Sequence, residues 1–148
     1  MLSVVIPLYN EEENVAPLCA EIAGALAGRA YEIVLVDDKS TDQTLQKIPV
    51  LPEIRVLELA RNTGQSGAMY AGIHAAKGDI LVLMDGDRQN DPADIPKLLE
   101  TLDRGFDLVC GYRANRKDTL SKRLTSRVAN TIRSRFTKDG VRDTLKGG

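Results

Sequence analysis

The chain has 148 residues, of which 43% are apolar and 28% charged, and a net charge of −1. This is the composition of an ordinary globular domain with enough chain to bury a core, and it excludes low-complexity and disulfide-framework classes. The longest fully apolar run, Ile80–Met84, is far too short to span a bilayer.

Short aliphatic runs alternate with amphipathic stretches along the chain. The first strand is predicted at Leu2–Ile6, so close to the start that no signal peptide is expected. Val15, Leu18, Cys19, Ile22 and Leu26 then follow the spacing of one buried helix face. Further strands are predicted at Glu32–Val36, Ile54–Leu59, Asp79–Met84 and Asp107–Cys110. Most are almost continuously apolar, as parallel strands covered on both faces should be. Between the third and fourth, residues 63–76 read as a small-residue helix stopped by Gly78. Asp91 caps the next helix, with Pro92 at its first position and Ile95, Leu98, Leu99 and Leu102 on its inner face. Pro96 is expected in its second turn, at the cost of a backbone hydrogen bond. A last helix is predicted at Thr119–Thr137, where Leu120, Leu124, Val128, Ile132 and Phe136 recur four apart among Lys122, Arg123, Arg127, Arg133 and Arg135. Strand alternating with helix implies right-handed βαβ units and a mostly parallel sheet with helices on both sides, a three-layer α/β/α domain. Cys19 and Cys110 have no metal-ligand spacing and read as reduced core residues of a cytoplasmic protein.

Charge divides the chain. Residues 1–112 carry 9 Lys/Arg against 18 Asp/Glu, whereas residues 113–148 carry 11 against 3. An acidic body of net −9 is thus followed by a basic segment of net +8, which calls for an anionic partner. Nucleic acid is a poor match, because Phe136 is the one aromatic residue of the segment's helix and no binding motif is present.

In an open parallel sheet, ligands bind at the carboxyl ends of the strands. After the first strand comes Pro7-Leu8-Tyr9-Asn10-Glu11; after the second, Asp37-Asp38-Lys39-Ser40-Thr41-Asp42; after the fourth, Asp85-Gly86-Asp87-Arg88-Gln89. Asp85, Asp87 and Gln89 leave an extended segment on one side, with Arg88 pointing away. Two neighbouring carboxylates repel unless a cation lies between them, and hard oxygen ligands suit Mg²⁺ or Mn²⁺. An isolated Asp-Gly-Asp is most often only a turn, and position at a strand end is what favours the metal. Asp37 and Asp38 are acceptors suited to a nucleobase N–H, or alternatively caps of a helix opened by Ser40, Thr41 and Asp42. Tyr9 either packs on a base or ribose or is a core tyrosine. No Gly-x-Gly-x-x-Gly and no P-loop are present, and His74 and Cys19 are assigned no catalytic role.

At these residues the chain resembles glycosyltransferase family 2, the inverting GT-A enzymes. The likeness is greatest to the branch that loads sugars onto polyprenyl phosphates, the dolichol-phosphate mannosyltransferases and undecaprenyl-phosphate glycosyltransferases. The stretches that carry it are residues 3–11, 36–42, 61–65, 84–92 and Gly111-Tyr112-Arg113. The resemblance implies that Pro7, Tyr9, Glu11 and Asp37, with Asp38, line a nucleotide pocket. Asp85 and Asp87 become a DxD motif that holds Mg²⁺ or Mn²⁺ against the donor diphosphate, with Gln89 nearby. Arg113 reaches a phosphate of acceptor or donor. The implied donor is a UDP- or GDP-sugar and the implied acceptor a polyprenyl phosphate, undecaprenyl or dolichyl. An acceptor phosphate is largely ionised at neutral pH and needs little help from a general base. The domain boundary is expected at 112, with a nucleotide-sugar core before it and the start of an acceptor region after it. The basic helix would meet a lipid phosphate or anionic membrane surface at the cytoplasmic face, or is simply a solvated basic face.

Lys39 stands where the family usually has glycine, and Arg88 where it usually has an apolar residue. After Asp139–Thr144 the family continues through a Gly-Cys-Gly-like turn, whereas this chain ends Leu145-Lys146-Gly147-Gly148. The acceptor half is therefore expected to be largely missing, with surface left free for homo-oligomerisation. A donor-binding remnant without transfer is the competing reading. A receiver-like signalling domain is disfavoured, because its acidic pair would follow the first strand.

Overall fold

Leu2, Val4, Val5 and Ile6, three of them β-branched, set the first strand, and the computed structural model, which describes residues 1–111, extends it to Leu2–Leu8 (β1). It is followed by α1 (Val15–Ala25), β2 (Tyr31–Asp37), β3 (Ile54–Glu58), α2 (Gly64–Ala75), β4 (Ile80–Leu83) and α3 (Ile95–Leu102). All strand pairs are parallel and the sheet order is β3-β2-β1-β4. The predicted helix Thr119–Thr137, the basic segment, Arg113 and the boundary at 112 lie outside the described residues.

Side-chain alternation along the central strands divides the core in two. Leu2, Val4, Ile6 and Leu8 of β1, with Ile33 and Leu35 of β2, face Val15, Leu18, Cys19 and Ile22 of α1 and Ile95 and Leu99 of α3. Val5, Val34 and Val36 face the opposite way, onto Ala68 of α2. With helices on both sides of one parallel sheet, this is the three-layer α/β/α domain expected. Cys19 is buried where the helix pattern put it, and burial pushes its thiol up to about 11, so it is no nucleophile.

Gly72 lets α2 lie directly on the sheet. A Cβ there would fall 2.3 Å from Val5 Cγ1 and 2.9 Å from Val36 Cγ2. Alanine normally stabilises a helix interior by about 1 kcal/mol relative to glycine. Overpacking costs about 1–3 kcal/mol, and contacts this short put the site at the upper end. Gly72→Ala is therefore expected to destabilise the domain by about 1–2 kcal/mol. Denaturant unfolding would read this as a lower midpoint at unchanged slope. A raised midpoint would mean that α2 can shift freely on the sheet.

Four expectations are corrected. Asp107–Cys110 is not a strand, and Cys110 is exposed rather than part of the core. No helix opens at Ser40-Thr41-Asp42; a single 3-10 turn follows at Leu45–Lys47. Gly78 does not cap α2, which ends three residues earlier. Gly78 is needed because a Cβ would lie 2.7 Å from both Met1 O and Ser3 N, where the chain crosses the start of β1. Pro96 costs no helical hydrogen bond. Asp91 caps a 3-10 turn, Pro92–Asp94, and α3 begins only at Ile95, so Pro96 falls in the first turn, where an N–H has no intrahelical partner anyway. Among the described residues no helix is long and apolar enough to cross a membrane.

Candidate active site

The strand order creates the site. From β1 the chain moves outward to β2 and β3, then returns to the other side of β1 to form β4. The helix after β1 (α1) and the crossover helix into β4 (α2) therefore lie on opposite faces of the sheet, and a crevice opens between the carboxyl ends of β1 and β4. A cleft of about 270 Å³ lies there, lined by Pro7, Leu8, Tyr9, Glu11, Asp38, Gln65, Asp85, Gly86 and Asp87.

The β1 wall is held by the loop after β2. Asn10 takes a left-handed φ of 57°; its N–H donates to Ser40 Oγ at 3.0 Å and its Oδ1 accepts from Thr41 N at 2.8 Å. Glu11 N donates to the fully buried hydroxyl of Thr44 at 2.8 Å, and Glu12 N to Asp42 Oδ2 at 3.3 Å. Thr44 in turn donates to Asp42 through its hydroxyl and its N–H. Desolvation pushes the Asp42 carboxyl up, but these hydrogen bonds outweigh it and hold the group below its ordinary range. With the chain clamped on both sides, Tyr9 is turned outward, 49% exposed, and lines the cleft. The core-tyrosine alternative is thereby removed.

Asp37 and Asp38 part company. Asp38 lines the cleft, but its carboxylate accepts from Thr63 N and Gly64 N, each at 2.7 Å, and from Thr63 Oγ1 at 2.9 Å. It caps α2 from a neighbouring strand, whereas Thr63, at the N-cap position, makes no side-chain cap bond of its own. Asp37 is buried; its Oδ2 accepts from Ser40 N at 3.1 Å, while Oδ1 has no hydrogen-bond partner among the described residues. Of the pair, Asp37 is the one that retains an unused acceptor, although it does not line the cleft.

The β4 wall is the Asp85-Gly86-Asp87 segment. Gly86 is pressed against β1, where a Cβ would sit 2.8 Å from Leu8 Cδ2 and 3.1 Å from Pro7 O. Only glycine brings the two aspartates this close to Pro7 and Glu11. Asp85 Oδ1 accepts from Gln65 Nε2 at 2.5 Å, and Asp87 Oδ1 accepts from Gln89 N at 3.0 Å. Gln89 itself is not among the cleft-lining residues. Arg88 adopts a left-handed φ of 56° and pairs with Glu21 on α1, so its side chain leaves the cleft; the segment turns at Gly86 and Asp87 instead of running extended, so the turn and not strand alternation directs it. Lys39, where the family usually has glycine, is also left-handed at φ 67°.

Among the described residues the lining includes four carboxylates, Glu11, Asp38, Asp85 and Asp87, and no lysine or arginine. Among the described residues no three His, Cys, Asp or Glu side chains converge as a closed metal cage. Two aspartates at an open cleft fit a cation that completes its shell with water and phosphate oxygens, as Mg²⁺ and Mn²⁺ do. Gln65 is the cleft residue to which sequence reasoning gave no role. It lies within a stretch that carries the family resemblance, in the first turn of α2, which follows β3 at the same edge of the sheet.

Residues 3–146 match the family model described as glycosyl transferase family 2. The chain belongs to glycosyltransferase family 2. This family 2 chain is 43% identical over 145 residues to dodecaprenyl-phosphate galacturonate synthase of Rhizobium johnstonii, covering 92% of the chain and 43% of that protein. It is 40% identical over 149 residues to undecaprenyl-phosphate 4-deoxy-4-formamido-L-arabinose transferase of Edwardsiella ictaluri, covering 96% of the chain and 46% of that protein. The chain thus spans less than half the length of these curated relatives. Among solved structures, the mannosyltransferase PcManGT from Pyrobaculum calidifontis, in complex with GDP-Man and Mn²⁺, is similar with a TM-score of 0.53 and 26% identity. That match covers 58% of this family 2 chain and 27% of the other. The GT-A class of α/β fold expected from the sequence is the fold of this chain.

Proposed function

We propose that this chain is the donor-binding part of an inverting, metal-assisted glycosyltransferase that moves a sugar from a UDP- or GDP-sugar to a polyprenyl phosphate. The observation that carries the proposal is the cleft at the β1–β4 crevice, with Asp85 and Asp87 on one wall and Tyr9 and Glu11 on the other. A diphosphate entering such a cleft meets the negative charge of these carboxylates, which a divalent cation would offset. Mn²⁺ and GDP-Man bound to the mannosyltransferase from Pyrobaculum calidifontis, and the polyprenyl-phosphate transferases among the relatives, support the same assignment.

The residues divide the work. Asp85 and Asp87 would hold Mg²⁺ or Mn²⁺, with Gln89 beside them supplying its N–H to Asp87. When bound, the cation stabilises the charge that builds up on the departing nucleoside diphosphate. Pro7 and Tyr9 would shape the base and ribose side of the cleft and Glu11 would accept from ribose hydroxyls; Asp37, buried outside the cleft lining, would need a local opening for its Oδ1 to accept from a base N–H. Asp38 shapes the site through its cap on α2 rather than by reading the base. Arg113, in the basic segment, is suited to the acceptor phosphate, because a guanidinium fork matches its geometry. The +8 charge of residues 113–148 would draw that segment to an anionic membrane surface at the cytoplasmic face.

Calorimetric titration of UDP and GDP, with and without Mn²⁺, tests the proposal. One nucleotide is expected to bind, and only with metal. Failure of both to bind a folded chain in the presence of Mn²⁺ overturns it. Metal-dependent binding without transfer to an added polyprenyl phosphate would instead favour a donor-binding module.

A further inference from the structure

We propose that Gln65 is a positioning residue for the cation site, fixing the orientation of Asp85 so that one carboxylate oxygen is kept for metal. The inference rests on the reading of Asp85 as a metal-holding carboxylate and adds a residue to it from another element.

Gln65 belongs to α2, and Asp85 follows β4; they are separated by 20 residues and by the strand between. Gln65 Nε2 nevertheless lies 2.5 Å from Asp85 Oδ1, and both side chains line the same cleft. Nothing in the fold demands this bond. Gln65 is in the exposed first turn of its helix, where water would satisfy its amide, and Asp85 stands at the mouth of an open cleft. Holding a glutamine in a single rotamer opposes its side-chain entropy, by an amount near the top of the range for any residue.

The rest of α2 is arranged so that this reach is reproducible. Asp38 fixes the start of the helix through three hydrogen bonds, and Gly64 enters it with a left-handed φ of 77°. Ala68 and Gly72 seat it on Val5 and Val36 without intervening side chains. Gln65 therefore approaches Asp85 from a platform with little freedom to slide.

The donor type matters as much as its place. A carboxylate that rotates freely presents either oxygen or both to a cation. One whose Oδ1 is occupied by an N–H presents Oδ2. Lysine or arginine at position 65 could also bond Oδ1, but would bring a positive charge against the incoming cation. Glutamine orients the carboxylate and leaves its negative charge intact.

The test is Mn²⁺ binding to the otherwise unliganded chain, read from the electron paramagnetic resonance signal of free Mn²⁺, for wild type, Gln65→Met, Gln65→Ala and Asp85→Asn. Methionine keeps the length of the side chain and removes the donor. Loss of an outer partner to a metal ligand costs about 10–100-fold in metal affinity. Gln65→Met and Gln65→Ala are both expected to weaken Mn²⁺ binding by about 10-fold, with metal-free melting temperatures equal to wild type. If Asp85→Asn abolishes Mn²⁺ binding while both Gln65 variants bind as wild type, the positioning role is overturned and the metal site stands. If Asp85→Asn binds Mn²⁺ as tightly as wild type, the metal site itself falls and the role of Gln65 falls with it.

Discussion

Replacing Asp85 and Asp87 together by asparagine is expected to abolish metal-dependent nucleotide binding and leave the fold intact. Each side chain uses one oxygen as an acceptor, from Gln65 Nε2 and from Gln89 N respectively. An asparagine Oδ1 still accepts, though more weakly than a carboxylate, so both wall contacts can survive the change. The substitution also removes two of the four negative charges in the cleft lining, which lowers their mutual repulsion. Melting temperature should therefore be unchanged or slightly higher. Affinity for Mn²⁺ should behave in the opposite way. Losing an outer partner alone costs about 10–100-fold, so losing both candidate ligands should exceed about 100-fold, or roughly 2.7 kcal/mol. Titrating the variant with UDP and GDP in Mn²⁺ reads this directly. Wild type treated with a chelator should give the same result. Unaltered binding by the double variant would place the diphosphate elsewhere.

Glu32→Ala is expected to be the most damaging single change to stability among those considered. The carboxylate lies at the opposite end of the sheet from the cleft. It accepts from Ser3 Oγ at 2.7 Å, Lys77 N at 2.6 Å and Arg55 Nη1 at 2.9 Å, and Arg55 also donates to Ala75 O at 2.9 Å. One acidic side chain thus joins β1, β2, β3 and the end of α2. Truncating it leaves a buried hydroxyl, a backbone N–H and a guanidinium without their acceptor. With Arg55 partly solvated, the cost should be about 3 kcal/mol, out of a total of about 5–15 kcal/mol for a domain of this kind.

The same group gives an acid-sensitive contribution. Burial alone would raise the Glu32 carboxyl, but its hydrogen bonds to Ser3, Lys77 and Arg55 and the charge of Arg55 outweigh that and hold it below 4.5. A carboxyl with a lowered pKa in the folded state binds its proton more readily once unfolded. Its stabilisation is therefore fully present above about pH 5 and is lost as the pH falls through the folded value. Denaturant midpoints measured from pH 7 to pH 3 should show a smaller acid loss in Glu32→Gln than in wild type. Identical slopes would assign the acid limb to other carboxylates.

The parts of the fold that were legible in the sequence are those where one physical signal dominates. β1 and β2 are buried on both faces, and a continuous apolar run with β-branched residues has few other uses. The face of α1 was read residue by residue from Val15 to Leu26 because its spacing is regular. Asp107–Cys110 shows the limit of that signal: two aliphatic residues and a cysteine satisfy the pattern, but in the fold Leu108 and Cys110 are exposed. Pro96 was misplaced because the 3-10 turn before α3 shifts the helix start by three residues, and periodicity does not register turn type. At the site, strand-end position located Tyr9, Asp38, Asp85 and Asp87 in the cleft. It left Asp37 and Asp38 undivided, because their division depends on where α2 begins in space. Gln65 escaped for the same reason, since its partner is set by packing across the sheet. The left-handed backbone at Lys39 and Arg88 is likewise invisible in residue types that seldom adopt it.

The stitching between the loops after β1 and β2 has a consequence for recognition. Five bonds join Asn10, Glu11 and Glu12 to Ser40, Thr41, Asp42 and Thr44, and nearly all pair a backbone group on one loop with a side chain on the other. The two loops therefore move as one body, and the ordering of Tyr9 and Glu11 takes place during folding rather than on ligand arrival. A ligand that docks on such a preorganised wall loses little to loop immobilisation, and its affinity follows from the contacts themselves. Competing donors should then differ chiefly in how fast they leave and hardly at all in how fast they arrive.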